Sequence, residues 1–467
     1  MLIAIIPITT IESAKSLMLQ AANAAAFEFR LDYFPQVDLL ALSQLQKQAQ
    51  KPVMFTVRTP SQGGVYQGTE SERMALLTKL MSLQPDYLDV EHDVPISVCE
   101  QLKALSPRTK FVRSYHDFQN TPDDLPQLLE TMQHAIFSYY KIITTAQSII
   151  DTLHVLQFVQ HHAPHVPLTA HAMGELGITS RILGRVLGNQ FTYASIVGQE
   201  QVAPGLLTVD ELINIYHYPQ LNPHTKIYGL IGSPITHSIG HLFHNAEFIA
   251  HHQNAVYVKF QVYPDELADF FALTQSLPIE GLSVTMPHKQ AVLKFCQAYT
   301  NEVKTIGAAN TLIKEDNGYL AANTDGEAVV SLLPQELTHK KIIVLGAGGA
   351  ASSIIYSLIQ HGARVSVYNR SLNHCAELKE KYPIEIFPLT EITHADYDIL
   401  INTLPVNAYP HPIHFIKDKM VLDANYQDHA TDLILDALAQ GCITIEGKSM
   451  FYAQAKMQRL HWFNTDE

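Results

Sequence analysis

The stretch Phe27-Glu28-Phe29-Arg30-Leu31-Asp32 alternates apolar and charged residues. At the two-residue period of a β-strand, the three charges share one face opposite Phe27, Phe29 and Leu31, so charge points where a core is expected. Similar oddities recur downstream. Arg58 closes the run Val53-Met54-Phe55-Thr56-Val57, Asp89 and Glu91 share a strand face, His116 follows an apolar run, and Lys141 sits inside Tyr139-Tyr140-Lys141-Ile142-Ile143. Taken singly, each has an ordinary structural reading: a strand lysine at a sheet edge, a satisfied histidine, an ion pair between Glu28 and Arg30. Taken together they are harder to dismiss, because desolvating so many ionisable groups is costly unless a charged ligand or chemistry uses them. A lysine among apolar residues and other cations gives up its proton more readily, and the neutral amine attacks a ketone to form an imine. Lys141 is the natural nucleophile. The imine acidifies the adjacent carbon, and His116 is suited to remove that proton and return it to a leaving hydroxyl. Arginines at the rim would hold a carboxylate.

A second set lies further along. Lys341-Ile-Ile-Val-Leu345 reads as a buried parallel strand, and Gly346-Ala-Gly348-Gly349-Ala350-Ala351 opens a helix directly after it. This is GxGxxA in the context where glycines allow a tight turn and a pyrophosphate meets free backbone N–H groups. The next strand, Ala363–Tyr368, ends at Asn369-Arg370, where an acid would serve the ribose hydroxyls of NAD. Arg370 suits a 2′-phosphate instead, which points to NADP; a solvated arginine after a strand is the plainer alternative. The remaining polar runs are Ser238, Ser283 to Lys289, Gly307 to Thr311 and Asn323 to Gly326. Any one of them fits turn or capping chemistry. Reduction of a ketone needs a proton donor beside the carbonyl, and Lys289 paired with Asp325 would supply it.

These residues need elements to hold them. Strands are expected near 2–7, 26–31, 53–58, 86–91, 110–115, 139–144, 167–172 and 191–197, with helical patterns between them, among others at 11–24, 37–50, 69–83, 121–136 and 147–161. Eight βα alternations predict a parallel sheet closed into a (β/α)8 barrel, whose chemistry sits at the C-terminal strand ends. The aperiodic segment from Tyr216 to Thr225 carries two prolines and is the expected junction, after which strands and helices alternate again. At 467 residues the chain is long enough for two or three domains. A 47% hydrophobic and 16% charged composition excludes wholesale disorder, and a net charge of −14 argues against nucleic-acid or anionic-membrane partners. Cys99, Cys296, Cys375 and Cys442 form no metal or disulfide spacing, which suits a reducing cytoplasm. No run is long enough to span a bilayer, and no histidine set predicts a metal.

With these residues in view, two resemblances emerge. Glu28-Phe-Arg30-Leu-Asp32, Phe55-Thr-Val-Arg58, Asp89-Val-Glu91, Ser114-Tyr-His116-Asp117-Phe118 with Thr121-Pro122, Lys141, Met173-Gly174 and Ser180-Arg181 resemble type I 3-dehydroquinate dehydratase. The resemblance implies that Lys141 forms a Schiff base with 3-dehydroquinate, that His116 is the acid/base, and that Glu28, Arg30, Arg58 and Arg181 bind the substrate. Tyr228 to Pro234, His237-Ser238, His244-Asn245, Ser283 to Lys289, Ile306 to Thr311, Asn323 to Gly326, Gly346 to Ala351, Asn369-Arg370, Asp423 to Tyr426 and Gly447 to Gln454 are similar to shikimate dehydrogenase. That similarity implies a two-domain unit with a Rossmann domain, Lys289 and Asp325 as the catalytic pair, and Ser238, Thr285, Asn310, Tyr426 and Gln454 on shikimate. The expected division is 1–218 for the dehydratase barrel, 219–225 for a linker, 226–335 completed by 429–467 for the substrate domain, and 336–428 for the NADP domain. The product of the first reaction, 3-dehydroshikimate, is the substrate of the second.

The matches have departures. Gln62-Gly63-Gly64 stands where the dehydratases usually have Glu-Gly-Gly, so an amide replaces a carboxylate near His116. Val202-Ala203-Pro204-Gly205-Leu206 replaces Ser-Ala-Pro-Gly-Gln, leaving Gln199 or Gln201 as lid contacts. Ser238-Ile239-Gly240-His241 replaces Ser-x-Ser-Pro, with His241 as a candidate to compensate; Ser283 replaces Asn; and Asn373-His374 stands where a second basic residue is common. Two rival readings follow: a second half that prefers quinate or NAD, and a barrel that senses ligand without turning it over. Retention of Lys141 and His116 argues against the latter.

Overall fold

The computed structural model describes residues 1–34, 36–199, 202–405, 408–409 and 413–463. Two compact units are present, Met1–Ile227 with Asn245–Ile279, and Tyr228–His244 with Glu280–Glu467. The eight expected N-terminal strands form as β1 (Leu2–Pro7), β2 (Ala26–Arg30), β3 (Val53–Thr56), β4 (Tyr87–Glu91), β5 (Lys110–His116), β6 (Tyr139–Thr145), β7 (Leu168–Met173) and β8 (Thr192–Ala194). They pair in parallel in the order β7-β6-β5-β4-β3-β2-β1-β8, an almost closed barrel. Across the remaining gap, Gln190 N donates to Leu168 O (2.9 Å) and Phe191 N to the Thr169 hydroxyl (3.0 Å). Full burial on both faces explains why these strands are rich in Ile, Val and Phe. Capping boxes at Thr10, Thr69, Ser148 and Thr208 start four of the helices, each typically stabilising by about 1 kcal/mol.

Side chains inside the barrel stack in layers, since alternate residues of each strand face inward. Ile3, Ala26, Met54, Val112 and Phe191 form an apolar floor with Tyr87 and Tyr139, the Tyr139 and Phe191 rings lying 4.8 Å apart. One pleat further along, the inward positions become Glu28, Asp89 and Lys141, with Ser114 in register opposite Lys141. Arg30, Glu91 and His116 follow after another pleat. Charge thus faces the interior only at the C-terminal strand ends.

A six-stranded sheet is built from β9 (Lys226–Gly232), β10 (Ala255–Gln261), β11 (Ile279–Val284), β12 (Ala298–Tyr299), β13 (Thr311–Glu315) and β14 (Gly318–Ala322), in the order β10-β9-β11-β13-β14-β12. Antiparallel β13 joins β11 to β14. The segment 245–279 belongs to the first unit because barrel helices grip it: Gln157 and Gln160 donate to Leu273 O (2.9 Å) and Ser276 O (2.8 Å), and the Thr179 hydroxyl donates to Lys259 O (2.8 Å).

The last sheet contains β15 (Lys341–Leu345), β16 (Arg364–Asn369), β17 (Glu385–Pro388), β18 (Ile399–Asn402), β19 (Met420–Asp423) and β20 (Ile443–Ile445). It is wholly parallel in the order β17-β16-β15-β18-β19-β20, the Rossmann arrangement, with apolar clusters on both faces. The order reverses between β15 and β18, where such sheets bind ligands. The final helix, Gly447–Phe463, returns to β11 and β13: Gln458 accepts from Ser283 (2.7 Å) and donates to Asn310 O (3.0 Å), and Trp462 donates to Leu312 O (3.1 Å). Among the described residues no helix is long and apolar enough to cross a membrane.

Candidate active sites

A cavity opens at the C-terminal end of the barrel strands, and Glu28, Arg30, Arg58, His116, Lys141 and Arg181 all line it. Lys141 is 4% exposed, with Nζ 3.3 Å from Asp89 Oδ2, 3.7 Å from Glu28 Oε1 and 4.0 Å from the centre of the Tyr193 ring. Burial lowers its pKa, and the Arg58 and Arg30 charges lower it further against the opposing pull of Glu28 and Asp89. His116 is held well below the ordinary imidazole range by burial and then by Arg58 and Lys141. Its Nδ1 is buried without a hydrogen-bond partner, so the ring is a neutral base with a lone pair to use. Register explains why both reach one cavity: Ser114 pairs with Lys141 and His116 with Ile143, so the histidine stands one pleat ahead of the lysine on the same face.

The arginines divide by partner. Arg30 makes a bidentate pair with Asp32 (2.9 and 2.7 Å). Arg58 binds Asp89 (2.9 Å) and Ser114 (2.8 Å), and burial of Asp89 is outweighed by Arg58 and Lys141, which hold its carboxyl at about 2. Arg181, 2% exposed, makes a 3.5 Å contact to Pro204 O, and among the described residues its Nε has no partner. Burial alone lowers it to about 10, so it stays charged at neutral pH. A buried cation with no ion-pair partner among the described residues fits an anionic ligand. Gln62, the residue replacing a glutamate, accepts from His116 N (2.9 Å) and contacts His92 Nδ1 (3.5 Å). Val202, Ala203 and Leu206 line the cavity with apolar groups, whereas Gln201 lies outside the described residues.

In the other unit, Lys289 Nζ donates to Asp325 Oδ2 at 2.5 Å. Asn310 Nδ2 reaches Asp325 Oδ1 (2.8 Å) and Gln454 Oε1 (3.3 Å), bringing four expected residues together. Ser238 and Tyr426 form a second group: burial raises the Tyr426 phenol, and hydrogen bonds with Ile239 and Ser238 oppose that rise. Tyr426 lines a wide cleft together with His237, Lys448 and Tyr452. Thr285 follows β11, with its methyl against Gly232. His241 sits, partly buried, in the first turn of the helix Gly240–Ala250.

The glycine turn joins β15 to the helix Gly349–Gln360. Gly346 has φ +106°, and an added Cβ would lie 2.6 Å from Thr403 Oγ1, so only glycine fits. Gly348 N-caps the helix without a side-chain cap, and a Cβ there would meet nothing within 4 Å. That open cradle at a helix N-terminus fits a dinucleotide pyrophosphate. Gly346 N donates to Tyr368 O (2.9 Å), which places the turn beside the end of β16, where Asn369 is followed by exposed Arg370. A Cβ on Gly349 would lie 3.8 Å from Lys289 Cδ, so the lysine borders the glycine turn.

The chain is similar to known proteins along most of its length. Residues 3–223 match the family model for type I 3-dehydroquinase, 230–312 the shikimate dehydrogenase substrate binding domain, and 328–438 shikimate / quinate 5-dehydrogenase. The chloroplastic bifunctional 3-dehydroquinate dehydratase/shikimate dehydrogenase of Arabidopsis thaliana is 33% identical over 93% of this chain and 77% of its own. The chain belongs to this bifunctional family. Two relatives match the second half of this family member: the shikimate dehydrogenase (NADP(+)) of Shouchella clausii is 34% identical over 51% of the chain and 93% of its own. The crystal structure of shikimate dehydrogenase from Aquifex aeolicus is 31% identical, covers 53% of this chain and 96% of its own, and superposes with a TM-score of 0.50. The bifunctional enzyme therefore carries a dehydroquinate dehydratase barrel and a shikimate dehydrogenase unit.

Some residues at these sites escaped the sequence reading. Tyr193, against Lys141, lies in a short apolar strand and reads as core. Arg73 is buried and pairs with Glu91 (2.9 Å), yet within its helix it reads as a solvated partner of Glu70. Ser353, beneath Asp325, carries no signal beyond helix chemistry.

Proposed function

We propose that the barrel dehydrates 3-dehydroquinate through a Schiff base on Lys141, and that the second unit reduces the resulting 3-dehydroshikimate to shikimate with NADPH. In the first reaction the Lys141 amine adds to the ketone and water is lost to give the imine. His116 takes a proton from the adjacent carbon, and the resulting enamine expels the neighbouring hydroxyl as His116 returns that proton to it. Hydrolysis then frees the lysine, so the net change is loss of one water. Arg181 binds the substrate carboxylate, and Glu28, Arg30 and Arg58 orient the ring and its hydroxyls. The reading is carried by one observation: a buried lysine and a buried imidazole with a free nitrogen line the same cavity as an arginine that has no ion-pair partner among the described residues.

For the reduction, Gly346, Gly348, Gly349, Ala350 and Ala351 would hold the pyrophosphate, and Asn369 with Arg370 the adenosine ribose and its 2′-phosphate. NADPH bound there supplies a hydride. Lys289, paired with Asp325, gives its proton to the carbonyl oxygen, while Ser238, Thr285, Asn310, Tyr426 and Gln454 fix the ring and its carboxylate. The position of Lys289 beside Gly349 supports this pairing of proton donor and cofactor site. The NADP(+) relative from Shouchella clausii and the cation after β16 both favour NADP over NAD. We assign 1–218 to the dehydratase, 219–225 to a linker, 226–335 with 429–467 to substrate binding and 336–428 to the cofactor. Mixing the protein with 3-dehydroquinate and NADPH tests both steps: enone absorbance should appear without NADPH, and nicotinamide absorbance should fall with it. Absence of the first signal removes the dehydratase role, and absence of the second removes the reductase role.

A further inference from the structure

Beneath the Lys289–Asp325 pair lies a short buried relay. Asp325 N donates to Asn323 Oδ1 (3.0 Å), and Asn323 Nδ2 is fixed on Ala308 O (3.0 Å). The Ser353 hydroxyl, fully buried in the helix that follows the glycine turn, accepts from Gly326 N (2.9 Å). That hydroxyl lies 3.0 Å from Asn323 Oδ1 and 3.1 Å from Glu302 Oε1.

Counting protons exposes a conflict. Ser353 has one hydroxyl proton and faces two oxygens that both want it. With Glu302 ionised, the carboxylate is the stronger acceptor and takes the proton, leaving the Ser353 and Asn323 oxygens in contact with nothing between them. With Glu302 protonated, its own O–H donates to Ser353, Ser353 donates to Asn323, and every member is satisfied. Asn323 can then hold the backbone at Asp325.

The surroundings favour the acid form. Glu302 lies in the first turn of the helix Asn301–Ile306, packed against β12, β14 and the helix Gly349–Gln360. The titratable groups on the elements around it are Asp325 and Glu327 on the helix Asp325–Leu332, Tyr356 on the helix Gly349–Gln360, Tyr382, Tyr299 on β12 and Tyr319 on β14; Lys304, on its own helix, is exposed. Burial raises the carboxyl, the Ser353 bond opposes that, and the Glu327 and Asp325 charges push it further up, to about 7.

We propose that Glu302 is a positioning residue of the reductase, whose protonated carboxyl group fixes Asp325 through Ser353 and Asn323 and whose ionisation releases it. This inference rests on Lys289 and Asp325 being the reductase pair. The test is the pH dependence of kcat for NADPH-dependent reduction of 3-dehydroshikimate by the full chain, compared among wild type, E302Q and S353A. The amide introduced by E302Q would donate to Ser353 as the acid does but cannot ionise. The E302Q to wild-type ratio should be near one at about pH 5.5 and rise roughly threefold to tenfold by about pH 8.5. S353A should be slower than wild type at acid pH and converge on it at alkaline pH, because the relay is already broken there. A ratio independent of pH for either soluble variant overturns the proposal while leaving the reductase assignment intact. No NADPH oxidation by wild type at any pH overturns both.

Discussion

At the scale of single residues, the account turns on ionisable groups held in unusual states. Replacing His116 with Asn should lower dehydratase kcat by roughly a hundredfold to ten-thousandfold while still allowing imine formation, because only proton transfer is lost. Steady-state rates paired with adduct mass would separate the two. Because His116 is depressed below 6.5 by burial, the unfolded chain binds more protons there than the folded one below about pH 6.5, so stability falls as pH drops through that value. Asp89 adds a second acid window: its ordinary value of 3.8 becomes about 2 in the fold, so its contribution, full above about 4, is lost towards pH 2. Denaturant midpoints from pH 7 to pH 3 should decline accordingly, with His116→Asn removing part of the first decline. Arg181→Ala should raise KM for 3-dehydroquinate by about tenfold to a hundredfold and change kcat less, since the guanidinium binds rather than reacts. The polar residues of the barrel mouth were legible because strand period and charge disagree at Glu28, Asp89 and Lys141. Arg73 and Tyr193 were not, since each satisfies its local pattern and finds its partner only through the closed barrel.

At the scale of elements, glycine positions separate function from folding. Gly348 has an ordinary negative φ and open space at its Cβ, so Gly348→Ala should leave thermal stability unchanged and weaken NADPH binding. Fluorescence titration with NADPH and a melting curve would show both. Gly326→Ala is the opposite case: its Cβ would run into Ser353 O and Ser357 Oγ, and overpacking of this kind destabilises by about 1–3 kcal/mol. The strand-turn-helix around Gly346 to Ala351 could be read from sequence because its hydrophobic run, glycines and helix start are contiguous. The eight barrel strands were readable for the same reason, each being a short apolar run bounded by turn residues. What local pattern could not supply is long-range adhesion. The stretch Tyr216 to Leu221 has no period, yet Tyr216, Tyr218 and Leu221 are buried, and Leu221 O accepts from Arg185 (3.1 Å). The grip of Gln157, Gln160 and Thr179 on 245–279 is likewise invisible to periodicity, because each hydrogen bond joins residues about eighty or more positions apart.

At the scale of the molecule, two chemistries on one chain should be separable. Lys141→Ala should abolish enone formation from 3-dehydroquinate yet still reduce supplied 3-dehydroshikimate with NADPH, whereas Lys289→Ala should do the reverse. Loss of both activities in either soluble variant would mean that the sites are not independent. The most direct test of the central claim is borohydride trapping of the wild-type protein with 3-dehydroquinate, followed by peptide mass spectrometry. The account predicts one reduced adduct, on the peptide containing Lys141, and its absence after Lys141→Ala. No adduct under turnover conditions, or an adduct on a different lysine, would contradict it.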